Sequence, residues 1–538
     1  MTEPEALDAI STRWEPPQEL LDRHQARVLR PDEAVSAADG EPVGSTVYRA
    51  HELLVATASI VDGPQFSTFL AETLAAIQLV VAELGPSAGP GEPPANWAGF
   101  RQQLLARDDP PRAVALTLVQ DPNQPPDRPV DAWRAAQRLR WTARQRGLDE
   151  FAVELNHLLF AEQPPNTFEG VPITHPHGLD DWIDGTRASA GLAGRVPLRL
   201  LLPYPARRAW TAGAGWRRVA VATLDTGCGQ HPWLEPVVPP RNLGASPHPD
   251  PVIVYGLPDG TNPYQTLPVP PDAEFYPYTA EPLLRIPDRF AGHGTFIAGV
   301  IRQGAPDARI RVIRIMGGDG VTYAVVLVNA LNRLLHATGT GRAEDFVDVV
   351  SLSLGAYWEQ INVAYRSLLA DVLFELGEAG VAVVASAGND STARRKFPAA
   401  FADRDPQPAV PLTSVGALNP NGSRAAFSND AAWVTCWQPG AALVSTLPTT
   451  LQGSSTPVLD SPGDPATGRV ARSAIDPDDY TGGFARWSGT SFAAPVLAAK
   501  IAAQLVQQPG TLTDLDGDHV RTRAKAARNL AIAQQDDD

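Results

Sequence analysis

The sequence is poor in the residue types that define several protein classes. Only 2 of its 538 residues are cysteine, which excludes a disulfide framework. Cys228 and Cys436 either form one bridge or lie as small buried hydrophobic side chains. Lysine occurs only at positions 396, 500 and 525, and 44 basic residues stand against 60 acidic ones, a net charge of −16. Because nucleic acid binds a concentrated basic face, it is not an expected partner.

Long apolar segments are missing as well. No stretch approaches the roughly 18 uninterrupted apolar residues of a membrane span, so no membrane contact is expected. Residues 1–10 are acidic and lack the basic start and apolar run of a signal peptide, which predicts a cytoplasmic protein. Apolar residues still make up 43% of the chain and charged residues 19%, which is enough to build a sizeable core.

The first third of the chain predicts a small α+β domain at residues 45–165. Polar and acidic residues dominate 1–44, which indicates a loose arm or an irregular first helix. The spacing of apolar residues predicts strands and helices in the domain, with strands at 45–58, 113–119 and 151–160 and helices at 66–84 and 130–146. Proline and glycine punctuate 166–214, which we interpret as a connector.

From residue 215 to residue 508, apolar strands alternate with helical patterns. The predicted strands are 218–224, 309–315, 347–354 and 381–385, and the predicted helices are 295–302, 323–338, 361–377 and 491–504. Such alternation is typical of an α/β fold, a mostly parallel sheet with helices on both faces. Two segments rich in proline and aspartate, 232–288 and 449–486, are predicted to be surface insertions without regular elements. Residues 509–538 are predicted to form an acidic tail with one polar helix.

Three short motifs each bring a reactive side chain to the end of a predicted element. The apolar strand in 219–227 ends at Asp225, at the carboxyl edge where ligands gather in open α/β sheets. His293, between two glycines, opens an apolar helix, and the segment 488–495 places Ser491 at the start of another. An Asp, a His and a Ser on separate elements suit nucleophilic acyl transfer, in which the His removes the hydroxyl proton and the Asp orients the ring.

A fourth segment supports the same chemistry. The buried strand that ends near Ala385 runs into a tight turn carrying Asn389, whose side chain can donate to a developing oxyanion beside the backbone N–H of Ser491. Asp225-Thr226-Gly227 also resembles an aspartic protease motif, but that mechanism needs a second copy, which the sequence lacks. No spacing of His, Cys and carboxylates completes a metal site, and no cofactor is expected.

Taken in this order, the four segments resemble those of the subtilisin-like serine protease family. Asp225 matches the family's Asp-Thr/Ser-Gly motif, His293 its His-Gly-Thr motif, and Ser491 its Gly-Thr-Ser-x-Ala-x-Pro motif. Asn389 matches its oxyanion asparagine. The resemblance spans roughly 215–505 and implies a catalytic triad of Asp225, His293 and Ser491. It also implies a set of substrate-binding residues, namely Gly320, Ser353, Leu354, Gly355, Ser386, Ala387, Gly388 and Lys396.

The resemblance implies a serine endopeptidase that acts on polypeptides and needs no metal for its chemistry. Phe397-Pro398 aligns with an aromatic-Pro pair of the family, which places Lys396 at the floor of the primary pocket and predicts a preference for acidic side chains. Family members often carry a small α+β pro-domain that plugs the cleft. Residues 45–165 are therefore expected either to inhibit the peptidase intramolecularly or to form a separate recognition or regulatory module.

Two alternatives to a constitutively active endopeptidase stay open at this point. One is a latent or regulatory interaction protein whose protease fold chiefly binds, and whose activity waits until a partner displaces the N-terminal domain or until that domain is removed. The other is a peptide ligase or transferase that uses the same triad.

Overall fold

A computed structural model describes most of the chain. The residues that it describes are 15–31, 34, 43–62, 64–85, 94–107, 110–125, 129–148, 153–161, 195–207, 217–234, 237–238, 252–256, 274, 287–359, 367–451, 460–461, 472–473, 480–507 and 512–534. Most of the predicted connector, 166–194, lies outside these residues. None of the helices in these ranges has both the length and the apolar character that crossing a bilayer demands.

The N-terminal part folds as short helices packed on an antiparallel sheet. Its elements are α1 (Gln18–Arg23), β1 (Ala26–Leu29), β2 (Thr46–Ala56), α2 (Thr57–Val61), α3 (Pro64–Ala75), β3 (Leu79–Val81), α4 (Trp97–Leu105), β4 (Ala113–Gln120), α5 (Ala132–Arg146) and β5 (Val153–Ala161). The long strand β2 pairs antiparallel with β1, β4 and β5, and β3 pairs with β4. Apolar side chains such as Leu53, Leu116 and Trp133 form a separate core between this sheet and the helices. The predicted α+β character of this part is confirmed.

The remaining elements follow in chain order. They are β6 (Val196–Leu198), β7 (Ala220–Asp225), β8 (Val237–Val238), β9 (Val252–Gly256), α6 (His293–Gly304), β10 (Arg309–Arg314), β11 (Val321–Tyr323), α7 (Ala324–Gly339), β12 (Val349–Leu352), β13 (Leu354–Gly355), α8 (Leu368–Glu378), β14 (Ala382–Ser386), β15 (Thr413–Leu418), β16 (Cys436–Pro439), β17 (Leu443–Thr446), β18 (Asp460–Ser461), β19 (Arg472–Ser473), β20 (Phe484–Trp487), α9 (Thr490–Val506) and α10 (Gly517–Ala533).

In the part of the chain that the structure describes, eight parallel strands form the central sheet, in the order β16-β15-β14-β12-β7-β10-β9-β8. Alternate residues of its strands face two different cores, as the pleat requires. Leu224, for example, belongs to the apolar cluster that includes residues of α7 and α8, whereas Val221 belongs to the cluster that includes residues of α6, α9 and α10. A mostly parallel sheet with helices on both faces is therefore confirmed.

A buried ion pair fixes the amino-terminal end of this sheet. Both terminal nitrogens of Arg217 donate to the carboxylate of Asp348, at 2.6 and 2.7 Å. The same carboxylate accepts from the backbone N–H of Ala220 at 2.9 Å. Because Arg217 precedes β7 and Asp348 precedes β12, the pair ties two neighbouring central strands together before they run toward the opposite edge.

The structure corrects several predictions about the N-terminal part. Part of the predicted arm at 1–44 is ordered, since β1 pairs with β2 along four residues. The helix predicted at 66–84 ends at Ala75, because Gln78 takes a positive φ of 61° and turns the chain into β3. The helix α4 was not predicted. Both cysteines of the chain are buried thiols rather than a disulfide.

The two predicted insertions contain strands, contrary to the prediction. Segment 232–288 contributes β8 and β9 to the central sheet, and segment 449–486 contributes most of β20, which pairs with β17 and β6. These strands are two to five residues long and lie among prolines and aspartates. The composition of the two segments therefore does not indicate them. The strand predicted at 347–354 is two strands, β12 and β13, with Ser353 between them.

Candidate active site

The four residues with predicted catalytic roles lie at the carboxyl edge of the central sheet. Asp225 is the last residue of β7, His293 the first of α6, and Ser491 the second of α9, while Asn389 follows β14. Each of the four side chains is fully buried, with 0% exposure. The fold thus brings four distant parts of the sequence to one closed site.

Asp225 and His293 are joined directly. Nδ1 of His293 lies 2.8 Å from Oδ1 of Asp225, and the same oxygen accepts from the backbone N–H of Thr226 at 2.8 Å. A carboxylate at Nδ1 fixes the ring proton there and leaves Nε2 as the basic nitrogen. That Nε2 is buried without a hydrogen-bond partner among the described residues.

The amide of Asn389 is oriented by the residue that precedes Ser491. Its Oδ1 accepts from both the backbone N–H and the hydroxyl of Thr490, each at 2.9 Å. This fixes the amide with its oxygen engaged, and within the described chain Nδ2 is left buried without an acceptor. An unengaged donor in a closed site has the chemistry of an oxyanion hole.

Ser491 contacts a backbone carbonyl, and the neighbouring aromatic rings contact His293. Its Oγ lies 3.5 Å from the carbonyl oxygen of Ser353, whose own hydroxyl donates to the Ser491 carbonyl at 2.7 Å. The neighbouring Phe492 ring lies 5.3 Å from the His293 ring, and Trp487 meets that imidazole edge-on at 5.4 Å. The imidazole therefore stands in a water-excluded environment, where electrostatic interactions are stronger.

The glycines on either side of His293 are required for two different reasons, a backbone conformation and a close contact. Gly292, the residue before α6, has a φ of 83°, which L side chains rarely adopt. A Cβ on Gly294 would lie 2.1 Å from the carbonyl oxygen of Gly227, so only glycine allows the turn after Asp225 to approach α6. Gly294 therefore allows the two backbone segments to lie in direct contact.

The residues predicted to bind substrate backbone form two short edges, β11 and β13, and β5 of the N-terminal part lies between them. β5 is antiparallel to both, with Phe160 opposite Val321 on one side and Gly355 on the other. At its end the N–H of Ala161 donates to the carbonyl of Gly320 at 2.8 Å. An extended strand from the same chain thus pairs with both segments that are predicted to bind substrate backbone.

The predicted primary pocket contains a compact charged cluster. Nζ of Lys396 lies 2.7 Å from Oδ2 of Asp390, and the Tyr357 hydroxyl donates to the same oxygen at 2.6 Å. Burial alone would raise the pKa of Asp390, but the Lys396 ammonium and these hydrogen bonds hold it below its usual range. The stem of Lys396 runs past Gly388, where a Cβ would lie 2.7 Å from its Cδ. Asp390 therefore offsets the cation that the sequence places here.

The other predicted binding residues, Ser386 and Ala387, continue β14 toward Gly388 and Asn389. The Ser386 hydroxyl is buried, and the N–H of Ala387 donates to the Val415 carbonyl at 2.9 Å. Phe160 and Val47 of the N-terminal part line the pocket together with Lys396, so that part forms one of its walls.

Buried ionisable groups line the contact between the N-terminal part and the rest of the chain. Nε2 of His157 on β5 lies 2.6 Å from Oε2 of Glu359, and Arg140 lies 3.4 Å from its other oxygen. Burial opposes ionisation of Glu359, but these two side chains bring its pKa to about 2. Glu154 on β5 accepts from the N–H of Leu368 at 2.8 Å, and burial raises its pKa to about 7.

Sequence reasoning missed Asp390, Tyr357 and Glu274 at this site. Asp390 stands next to the predicted asparagine and could have been found there. Glu274 accepts hydrogen bonds beside Asp225 and His293, yet it lies in a predicted insertion with no pattern around it. The sequence carried no signal for it.

Comparisons with known proteins agree with these observations. A sequence profile described as the subtilase family matches residues 217–531. The major intracellular serine protease of Bacillus subtilis (strain 168) is 24% identical over 266 residues, which cover 46% of this chain and 66% of that protein. Subtilisin-like protease 3 of Pseudogymnoascus destructans is 30% identical over 160 residues, covering 29% of this chain and 35% of its own. The chain thus spans about one third to two thirds of the length of these curated relatives.

A crystal structure of a cold adapted subtilisin-like serine proteinase aligns with 61% of this chain and 87% of its own, at 19% identity and a TM-score of 0.33. The profile match covers more than half of the 538 residues and includes the positions of all four motifs. The chain belongs to the subtilase family.

Proposed function

We propose that this chain is a serine endopeptidase that hydrolyses peptide bonds through an acyl-enzyme on Ser491. The observation that carries the proposal is the 2.8 Å contact between His293 and Asp225, which leaves Nε2 of the imidazole available in a site that also holds the amide donor of Asn389. The family membership supports the same reaction.

Each group has a defined part in the proposed reaction. Oγ of Ser491 attacks the substrate carbonyl carbon while its proton passes to Nε2 of His293, and Asp225 stabilises the resulting imidazolium. The Asn389 amide and the backbone N–H of Ser491 donate to the oxyanion of the tetrahedral intermediate. His293 then protonates the leaving amine, and a water molecule hydrolyses the ester by the same steps in reverse order.

A fluorophosphonate probe tests this proposal, because it labels only a serine that an adjacent base activates. The full chain should be labelled on Ser491, and Ser491→Ala should abolish labelling while Ser423→Ala, which removes an exposed hydroxyl, should not. Asn389→Ala should lower turnover by about 10²–10³, the usual loss for one oxyanion donor. A chain that stays unlabelled with and without its first 194 residues would refute the proposal.

We further propose that the N-terminal part keeps the peptidase latent, with residues 45–165 acting as the intramolecular inhibitor. The pairing of β5 with β11 and β13 and the full burial of Ser491 favour this candidate. Latency then ends when a partner displaces this part or proteolysis removes it.

Ala161→Pro tests latency within the full chain, because proline removes the N–H that donates to Gly320 and weakens the last pairing of β5. Labelling of Ser491 should become faster. Ala161→Gly keeps that N–H and serves as the matched control. A chain beginning at Arg195 retains β6, and adding residues 15–161 in trans should slow its labelling. Equal labelling rates for all these proteins would contradict latency.

A further inference from the structure

Glu274 lies on the chain between Asp225 and His293 and has no part in the reaction described above. Its carboxylate contacts the first turn of α6. Oε2 accepts from the backbone N–H of Gly292 at 2.9 Å, and Oε1 accepts from the backbone N–H of Thr295 at 3.1 Å. The first N–H groups of a helix have no hydrogen-bond acceptor within it, and a carboxylate at this position is favourable. Glu274 therefore caps the helix that begins with the imidazole.

The same carboxylate also contacts the turn that follows the catalytic aspartate. The hydroxyl of Thr226 lies 3.0 Å from Oε1 of Glu274 and 3.2 Å from Oδ1 of Asp225. That hydroxyl oxygen accepts from the backbone N–H of Gly294 at 2.9 Å. Thr226 thus stands between two carboxylates and the start of α6, so Glu274 joins the Asp225 turn to the helix of His293.

Burial and the donors around Glu274 act on its pKa in opposite directions, and burial is the larger effect. Burial raises the pKa of Glu274, while the N–H groups of Gly292 and Thr295 act in the opposite direction and the nearby Asp225 adds to the rise. In the described residues, Asp225 lies on the Nδ1 side of the imidazole and Glu274 lies beyond Thr226. Two guanidinium groups pack on aromatic rings that contact the imidazole: Arg195 on Trp487 at 5.2 Å and Arg289 on Phe290 at 5.7 Å.

We propose that Glu274 is a positioning residue for the triad, holding the Asp225 turn against the first turn of α6 and favouring the imidazolium that forms when Ser491 gives up its proton. This inference rests on the proposed peptidase function. A segment that the family motifs do not include would then carry part of the catalytic support in this chain.

Two substitutions separate the effect of the Glu274 charge from the effect of its hydrogen bonds. Glu274→Gln keeps the shape of the side chain and one acceptor oxygen but removes the charge. Glu274→Ala removes every contact of the carboxylate with the Asp225 turn and with α6. Glu344→Gln neutralises an exposed carboxylate and is the matched control. With a peptide substrate, Glu274→Ala should lower kcat about tenfold with KM within about twofold, as expected for an interaction that strengthens in the transition state. Glu274→Gln should move the acidic limb of the kcat/KM profile to lower pH, because loss of the anion disfavours the imidazolium.

A second readout needs no turnover. In a Ser491→Ala background, the proton on Nδ1 of His293 gives a low-field NMR resonance while the Asp225 contact holds. Glu274→Ala should broaden or shift that resonance, and Glu344→Gln should leave it in place; if Glu274→Ala does not fold, Glu274→Gln carries the same test. An unmoved resonance together with an unmoved acidic limb overturns the inference. If neither the full chain nor the chain beginning at Arg195 labels with a fluorophosphonate, the peptidase proposal is refuted instead. The resonance can still be measured in that case, because it does not depend on catalysis.

Discussion

Glu154 is expected to make the folded chain less stable as the pH rises from about 4.5 to about 7. Its side chain is 4% exposed on β5, where it faces the start of α8. Burial raises its pKa from 4.5 to about 7, so in this window the folded chain keeps a proton that the unfolded chain has lost. Stability is therefore highest below pH 4.5 and falls until the folded group has also ionised. Such a shift corresponds to about 3 kcal/mol of unfolding free energy.

Glu154→Gln tests this reasoning, because the amide still accepts from the N–H of Leu368 but does not ionise. Urea unfolding of both chains, in a Ser491→Ala background that prevents self-digestion, should give similar free energies near pH 4.5. Near pH 8 the variant should be more stable by about 3 kcal/mol. Glu19→Gln, at an exposed carboxylate on α1, is the control. A difference that stays within about 1 kcal/mol across this range would refute the burial argument.

Three further predictions concern the rest of the chain. Asp348→Asn breaks a buried ion pair and should cost about 3–5 kcal/mol, measured by chemical unfolding; a loss below 1 kcal/mol would contradict its structural role. Gly294→Ala would push a Cβ into the carbonyl oxygen of Gly227 and should abolish fluorophosphonate labelling, whereas full labelling would show that this approach is not needed. Asp390→Asn removes the carboxylate that offsets Lys396, so a peptide library should show more cleavage after Glu relative to Leu. An unchanged ratio would contradict the assignment of Lys396 to the primary pocket.

Local patterns in the sequence predicted the elements that carry the chemistry. Asp225 ends an apolar strand and His293 begins an apolar helix, so each residue's place follows from a few neighbours and from the rule that ligands gather at the carboxyl edge of a parallel sheet. The close approach at Gly294 was also predictable, since a glycine on each side of a histidine leaves room for another backbone.

Long-range pairing escaped prediction. The strand of β5 was predicted from its apolar residues, but nothing in 151–160 specifies that its partners are β11 and β13, more than 150 positions away. The same holds for Glu274, whose four donors come from two distant turns. Asp390 likewise changes the interpretation of Lys396. A lysine alone in the pocket predicts a preference for acidic side chains, but the Asp390 carboxylate already pairs with its ammonium group.

The position of β5 has a consequence for what the cleft can accept once that strand leaves. β11 and β13 would then present two free backbone edges that any straight peptide can complete, whatever its side chains, because main-chain groups supply the bonds. Compact, fully folded proteins rarely offer such a stretch. Loops, termini and misfolded chains do, so the proposed peptidase, if β5 leaves, should discriminate by the conformational freedom of its target before it discriminates by sequence.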